Sequence, residues 1–217
     1  MLREVSLRIE SGTRTIVLGP NGAGKSVLLR LLHGLIAPSA GRLGWASDDP
    51  RLVRAAQAMV FQRPMMLRRT ARENIEFALE VSGKRDDRRA AAAEALARVG
   101  LADLASRPAR LCSVGEQQRI ALARAWALRP EVLFLDEPTA SLDPAATKAI
   151  EEIIMAMHVT GTTIVMTTHD LGQARRIADR VIFLHRGHLV EDTPAAEFFQ
   201  QPRSPEAAAF VQGELLW

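Results

Sequence analysis

Val5, Leu7 and Ile9 alternate with Ser6, Arg8 and Glu10, a period of two that predicts a half-buried strand. Ser11-Gly12 reads as a turn, and residues 15–18 (TIVL) predict a buried strand. Behind the glycine-rich GPNGAGK, Val27, Leu28, Leu31, Leu32 and Leu35 recur at helical spacing. The order is strand, glycine loop, helix. Residues 41–61 predict short strands and turns ending in Met59-Val60-Phe61. From 70 to 128 the pattern turns helical. Ile75, Leu79 and Val81 fall on one helix, the alanine-rich 89–99 on a second, and 115–128 on a third that Pro130 ends.

Residues 132–135 (VLFL) and 163–167 (TIVMT) predict buried strands, with a helix from Pro144 to about His158 between them. Two more strands are predicted at 180–184 and 188–191. The stretch 194–217 reads as helical with a break at 201–205. Apolar strands separated by helices specify an α/β fold, a mostly parallel sheet covered on both faces. The helical block at about 70–130 interrupts that rhythm and reads as a subdomain inserted into a single domain spanning 1–217.

Composition narrows the picture further. At 217 residues, with 47% hydrophobic and 24% charged residues, the chain is globular rather than disordered or coiled coil. Its net charge of +3 is too small to be a nucleic-acid footprint. The high isoelectric point reflects the absence of Tyr, which leaves few groups to titrate near pH 10. One cysteine, Cys112, excludes an intrachain disulfide and suits a reducing compartment. No apolar run is long enough to span a bilayer, and the N-terminus has no signal-peptide core.

Gly19-Pro20-Asn21-Gly22-Ala23-Gly24-Lys25-Ser26 fits the spacing of a phosphate-binding loop and sits between a strand and a helix. Glycines let backbone N–H groups point inward at a phosphate, and the helix adds its positive end. Lys25 is placed to reach the β- and γ-phosphates, and the Ser26 hydroxyl to bind Mg²⁺. Asp136-Glu137 closes the 132–135 strand, the end where such sheets put their ligands. Asp136 is the candidate Mg²⁺ ligand and Glu137 the candidate general base.

Together with four further elements, these residues resemble the ATP-binding subunit of an ABC transporter over nearly the whole chain. Residues 19–26 look like the Walker A loop and Gln62 like the Q-loop glutamine. Cys112-Ser113-Val114-Gly115-Glu116, followed by QQRIALARA, looks like the signature. Asp136-Glu137 looks like Walker B with the catalytic glutamate, Ser141-Leu142-Asp143 like the D-loop, and His169 in TTHD like the switch histidine.

The resemblance implies a P-loop NTPase fold with an N-terminal antiparallel β part and the inserted helical subdomain. It implies ATP and Mg²⁺ as ligands. Residues 19–26, Val27, Gln62, Ser113, Gly115, Glu116 and Asp143 would contact nucleotide. Ser26, Gln62 and Asp136 would hold the metal, and Glu137 and His169 would act in catalysis. It further implies a head-to-tail dimer in which each signature caps the γ-phosphate bound by the other copy.

Three departures from the family pattern stand out, in the signature, after Ser26 and ahead of the first strand. Cys112 and Val114 replace the opening leucine and middle glycine of the signature. A valine there compromises phosphate capping if the loop needs positive φ. Val27 follows Ser26 where many relatives carry Thr. Relatives also place an adenine-stacking aromatic ahead of the first strand, whereas this chain opens at Met1-Leu2, already inside it. The expectation is a start assigned too late or a truncated chain, with weaker adenine preference.

The partners implied are a second copy, membrane permease subunits and, indirectly, a periplasmic or extracellular binding protein, but no nucleic acid. The implied location is cytoplasmic, peripheral on the inner face of the plasma membrane. Residues 62–67 place Met65, Met66 and Leu67 in a loop among arginines, a candidate docking surface. Exposure of these residues favours docking, and burial removes the local support for transport. The run 84–89 reads as a solvated helix start. The expectation from the short stretch after the last predicted strands is that no C-terminal regulatory domain is added.

Within the family, GKSVLLRLLHGL, WALRPEVLFLDEPTASLDPAAT, IVMTTHDLGQARRIAD and the terminal GELLW resemble oxyanion importers, tungstate or molybdate in particular. The competing reading is a nucleotide-dependent dimerising module with weak hydrolysis and no transport role.

Overall fold

A computed structural model describes residues 2–83 and 87–214. Six strands form one sheet: β1 (Arg14–Leu18), β2 (Gln57–Val60), β3 (Val132–Asp136), β4 (Thr163–Thr167), β5 (Arg180–His185) and β6 (His188–Pro194). Their order across the sheet is β2-β3-β4-β1-β5-β6. The first five run parallel, and β6 pairs antiparallel with β5. The antiparallel pairing among the described strands therefore lies at the C-terminal edge. Residues 5–9 keep the expected alternation of burial and pack on the sheet, but they form no strand.

Strand alternation sorts the core into two layers. Val17, Phe134, Val165, Ile182 and Leu184 face one side, where they meet Leu28 and Leu29 of helix α1 (Lys25–Leu32) and Val5, Leu7 and Ile9. Ile16, Leu18, Leu133, Leu135, Ile164, Met166, Val181 and Phe183 face the other. That second layer is covered by α6 (Pro144–Val159), which presents Ile150, Ile153, Ile154 and Met157 at helical spacing. It is also covered by α7 (Leu171–Ile177), α8 (Ala195–Gln200) and α9 (Pro205–Gln212). Phe183 stacks near Phe198 at 5.8 Å and Phe210 at 5.1 Å, tying α8 and α9 to β5. Burying one such aromatic contributes about 2–3 kcal/mol.

Three helices from the predicted helical block pack on one another: α3 (Ala71–Val81), α4 (Arg88–Arg98) and α5 (Val114–Ala127). α5 also touches α6 and β2, so it joins this group to the sheet. Capping boxes start α3 at Thr70 with Glu73 and α5 at Ser113 with Glu116.

Several sequence expectations need adjustment. Ile75, Leu79 and Val81 do share α3, but Val81 at its end is 70% exposed, because six residues at 100° each turn it 240° from Ile75. Leu35 lies beyond α1, past Gly34 at φ 79, and is exposed. Within 41–61, helix α2 (Pro50–Ala55) forms where strands and turns were expected. Its Asp49 cap accepts from Arg51 N at 2.8 Å, and Pro50 sits at the first turn. Of the charged run 84–89, Asp87 caps α4, while 84–86 lie outside the described residues. Met1 and the last three residues of GELLW lie outside them too.

Candidate nucleotide and catalytic site

The site is assembled at the carboxyl ends of β3, β4 and β1, three neighbouring parallel strands. β1 runs into Gly19, which is buried at φ 147. A Cβ there would lie 2.1 Å from the Leu184 carbonyl oxygen of β5, so only glycine fits the turn. Gly24, at φ 104, sits immediately before α1. Pro20 O accepts from Ala23 N at 3.2 Å, which closes the loop on itself. Asn21 and Gly22 are exposed, whereas the Ala23 side chain belongs to the core. Val27, half-buried, lies in the first turn of α1.

Lys25 is 6% exposed. Its Nζ donates to Gly19 O at 2.8 Å and Pro20 O at 3.3 Å, and lies 4.0 Å from Glu137 Oε1. Burial holds its ammonium below the ordinary lysine range, and Glu137 and Asp136 oppose that shift. Ser26 Oγ donates to Asp136 Oδ1 at 2.8 Å. The same oxygen accepts from Thr167 Oγ1 at 2.9 Å. A hydroxyl and a carboxylate brought this close are hard oxygen donors, the type Mg²⁺ takes when phosphates complete its shell. The donor set therefore fits the metal.

Glu137 continues from β3 with φ 46, an uncommon conformation for a residue with a Cβ. Its N–H is held by Thr167 Oγ1 at 2.9 Å and Thr167 O at 3.2 Å. Glu137 Oε2 lies 3.3 Å from His169 Nδ1, with His169 exposed to solvent. Thr139 Oγ1 donates to Gln173 Oε1 at 3.1 Å, and Gln173 Nε2 donates to Glu151 Oε1 at 3.1 Å. Arg176 grips the same Glu151 carboxylate. These bonds brace the segment after Glu137 against α6 and α7. Sequence reading missed Thr139, Thr167 and Gln173, and only the run of hydroxyls in TTHD hinted at one of them.

The remaining predicted residues gather elsewhere. Ser113, Gly115 and Glu116 line a groove with Ser141, Leu142 and Asp143. Ser113 caps α5: its Oγ accepts from Glu116 N at 3.3 Å while Glu116 Oε2 accepts from Ser113 N at 2.6 Å. That backbone bond is the main reason the Glu116 carboxyl stays below its usual range. A Cβ on Gly115 would meet Ala146 Cβ of α6 at 3.2 Å, so this glycine permits close helix contact. Asp143 caps α6 by accepting from Ala146 N at 2.9 Å. Val114 occupies the first turn of α5 in helical conformation, so its position demands no positive φ. The conditional objection to valine does not apply.

Gln62 is exposed just past β2, at the sheet end where Val60 pairs with Leu135. The loop after it divides. Of the three apolar residues of the candidate docking surface, Met65 is 78% exposed, Leu67 is half-buried, and Met66 is 4% exposed and belongs to the core; Phe61, just before Gln62, is 40% exposed.

A strand–glycine loop–helix with two consecutive carboxylates, Asp136 and Glu137, at the end of β3 defines a nucleotide-binding α/β protein of the P-loop class. The family model described as ABC transporter matches residues 2–140. A phosphate import ATP-binding protein of Natronomonas pharaonis is 38% identical, covering 100% of this chain and 83% of its own length. The tungstate uptake system ATP-binding protein TupC of Peptoclostridium acidaminophilum is 39% identical, covering 86% and 88%. Other relatives are named for methionine and arginine import. Among solved structures, a dimeric post-hydrolysis state of the ATP-binding cassette MJ0796 bound to ADP and Pi superposes with TM-score 0.80 at 30% identity, covering 89% and 90%. The chain belongs to the ABC transporter family. It is an ATP-binding ATPase.

Proposed function

We propose that this chain is the energy-coupling ATPase of an importer, working as an ATP-sandwich homodimer docked on membrane permease subunits. The observation that carries the reading is the meeting of Lys25, Ser26, Asp136, Glu137 and His169 at adjacent strand ends. Residues 19–24 wrap the phosphates with backbone N–H groups, and Lys25 neutralises charge on the β- and γ-phosphates. Ser26 and Asp136, with Gln62 at the same end of the sheet, would hold Mg²⁺, which when bound supplies charge stabilisation to the phosphoryl oxygens. Glu137 accepts a proton from the attacking water as its oxygen bonds to the γ-phosphorus and ADP leaves. His169 orients that water and the γ-phosphate. Ser113, Gly115 and Glu116, with Asp143 beside them, meet the γ-phosphate held by the second copy. The whole of 1–217 acts as one domain, with the helices at about 70–130 as its inserted subdomain.

Phe61 and Met65 support the docking reading as exposed apolar side chains beside Gln62, while Met66 anchors the loop. No helix among the described residues is long and apolar enough to cross a membrane. Attachment at the inner face of the plasma membrane would come through the permease, with a separate binding protein delivering cargo. The cargo class is an oxyanion such as tungstate or molybdate. Likeness to the tungstate and phosphate relatives supports this, and the methionine and arginine relatives set the competing outcome.

ATP turnover of the purified chain beside Glu137→Gln, with oligomer size measured with and without ATP, tests the mechanism. Hydrolysis by the wild type, with an inactive variant that dimerises on ATP, is the expected result. A variant as active as wild type overturns the assignment of Glu137. Dimerisation without turnover in either chain favours the non-transporting module. Uptake of labelled tungstate, molybdate, phosphate and methionine by cells with and without the gene tests the cargo.

A further inference from the structure

Thr167 ends β4 between the two strands that carry the rest of the site, and it is fully buried. Its hydroxyl has one proton and two lone pairs, and the structure uses both capacities. The proton goes to Asp136 Oδ1 at 2.9 Å. A lone pair receives Glu137 N–H at 2.9 Å. One oxygen thus touches the candidate metal ligand and the backbone of the candidate base. Asp136 Oδ1 is held from two sides, by Thr167 and by Ser26 at 2.8 Å. Glu137 is held at φ 46, a conformation that residues with a Cβ leave unless their surroundings impose it.

We propose that Thr167 is a positioning residue for hydrolysis. Its hydroxyl fixes the Asp136 carboxylate toward the metal. It also locks the Glu137 backbone so that Oε2 faces His169. A valine would fill the same volume in β4 and make neither bond. The inference rests on the reading of Asp136 and Glu137 given above, and its test separates the two.

Thr167→Val and Thr167→Ser are compared in the full chain by steady-state turnover. A second readout needs no turnover: Mn²⁺ affinity of the ATP-bound chain, measured by electron paramagnetic resonance in the Glu137→Gln background. Thermal melts show that each variant is folded. Loss of a charge-assisted bond predicts that Thr167→Val lowers kcat by about tenfold and weakens Mn²⁺ binding by about tenfold, with affinity for metal-free ATP within about twofold. Thr167→Ser should recover most of both. The proposal is overturned if Thr167→Val stays within about twofold of wild type in both readouts, or if folded Thr167→Ser is as impaired as the valine variant. Should Thr167→Val not fold, Thr167→Ala takes its place in the same comparison. Turnover unchanged in Glu137→Gln would sink the underlying reading. A normal Thr167→Val beside an inactive Glu137→Gln sinks only the role of Thr167.

Discussion

His169 Nδ1 lies 3.3 Å from Glu137 Oε2, although the two residues are 32 positions apart and leave neighbouring strands. The imidazole is exposed and the carboxylate half-buried, so on the proposed reading water and phosphate can reach the pair. Replacing His169 by Ala should lower kcat by about 100-fold, in the range of a lost proton-handling or water-orienting group. Nucleotide affinity should persist, because Lys25 and the loop are untouched. Steady-state turnover and an ATP-induced thermal shift, measured side by side, check both halves.

Lys25 presents the opposite case. Its ammonium is already hydrogen-bonded within the loop, which on the proposed reading fixes the group in place for an incoming phosphate. Lys25→Ala should weaken ATP binding by at least about tenfold, the size of a lost charge-assisted bond. The ATP-induced thermal shift should then shrink or vanish. A variant that keeps the full shift would remove Lys25 from the phosphate site.

Gly19→Ala tests packing rather than chemistry. The added methyl would meet the Leu184 carbonyl oxygen at 2.1 Å, and φ 147 already disfavours any side chain. Destabilisation of about 3 kcal/mol or more is expected, because backbone atoms of β5 must move. A urea unfolding curve gives the value.

Asp179, in the turn before β5, grips the Arg14 guanidinium and also accepts from Arg14 N at 3.0 Å. The side-chain bond to Arg14 is the main reason its carboxyl sits below the ordinary value of 3.8. A depressed carboxyl stabilises the fold fully above that ordinary value and loses the benefit as pH falls through its own lower one. Asp179→Asn should therefore be less stable than wild type at neutral pH. The group is partly exposed, so the gap should be no more than about 1 kcal/mol. It should close as pH drops below 3.8. Urea midpoints at pH 7 and in acid check the sign.

What was legible in the chain was whatever is local or repeated. Residues 19–26 carry loop, cap and charge in one contiguous stretch, so their chemistry could be read before any folding. β3 and β4 announced themselves as apolar runs. Thr167 did not, because a threonine at a strand end reads as ordinary β-propensity until Asp136 and Glu137 are brought beside it. Helix α2 had a signal in Asp49-Pro50, but six residues give too little periodicity to outweigh the neighbouring turns. Residues 5–9 show the converse. Their alternation correctly predicted which side chains face the core, yet alternation specifies a buried face and not a hydrogen-bonded neighbour.

Ser26 and Asp136 are separated by 110 positions, with the helices α3, α4 and α5 between them in the chain. A contact of that span forms only when most of the polypeptide has already found its place. A ligand that requires it would recognise the finished molecule and ignore partly folded ones. Such a ligand adds RT ln(1 + [L]/Kd) to the folded state, about 4 kcal/mol at a thousandfold excess. The cell's adenylate pool would then do more than fuel this protein. It would set how much of the protein survives proteolysis, so that starvation depletes the machine together with its power supply.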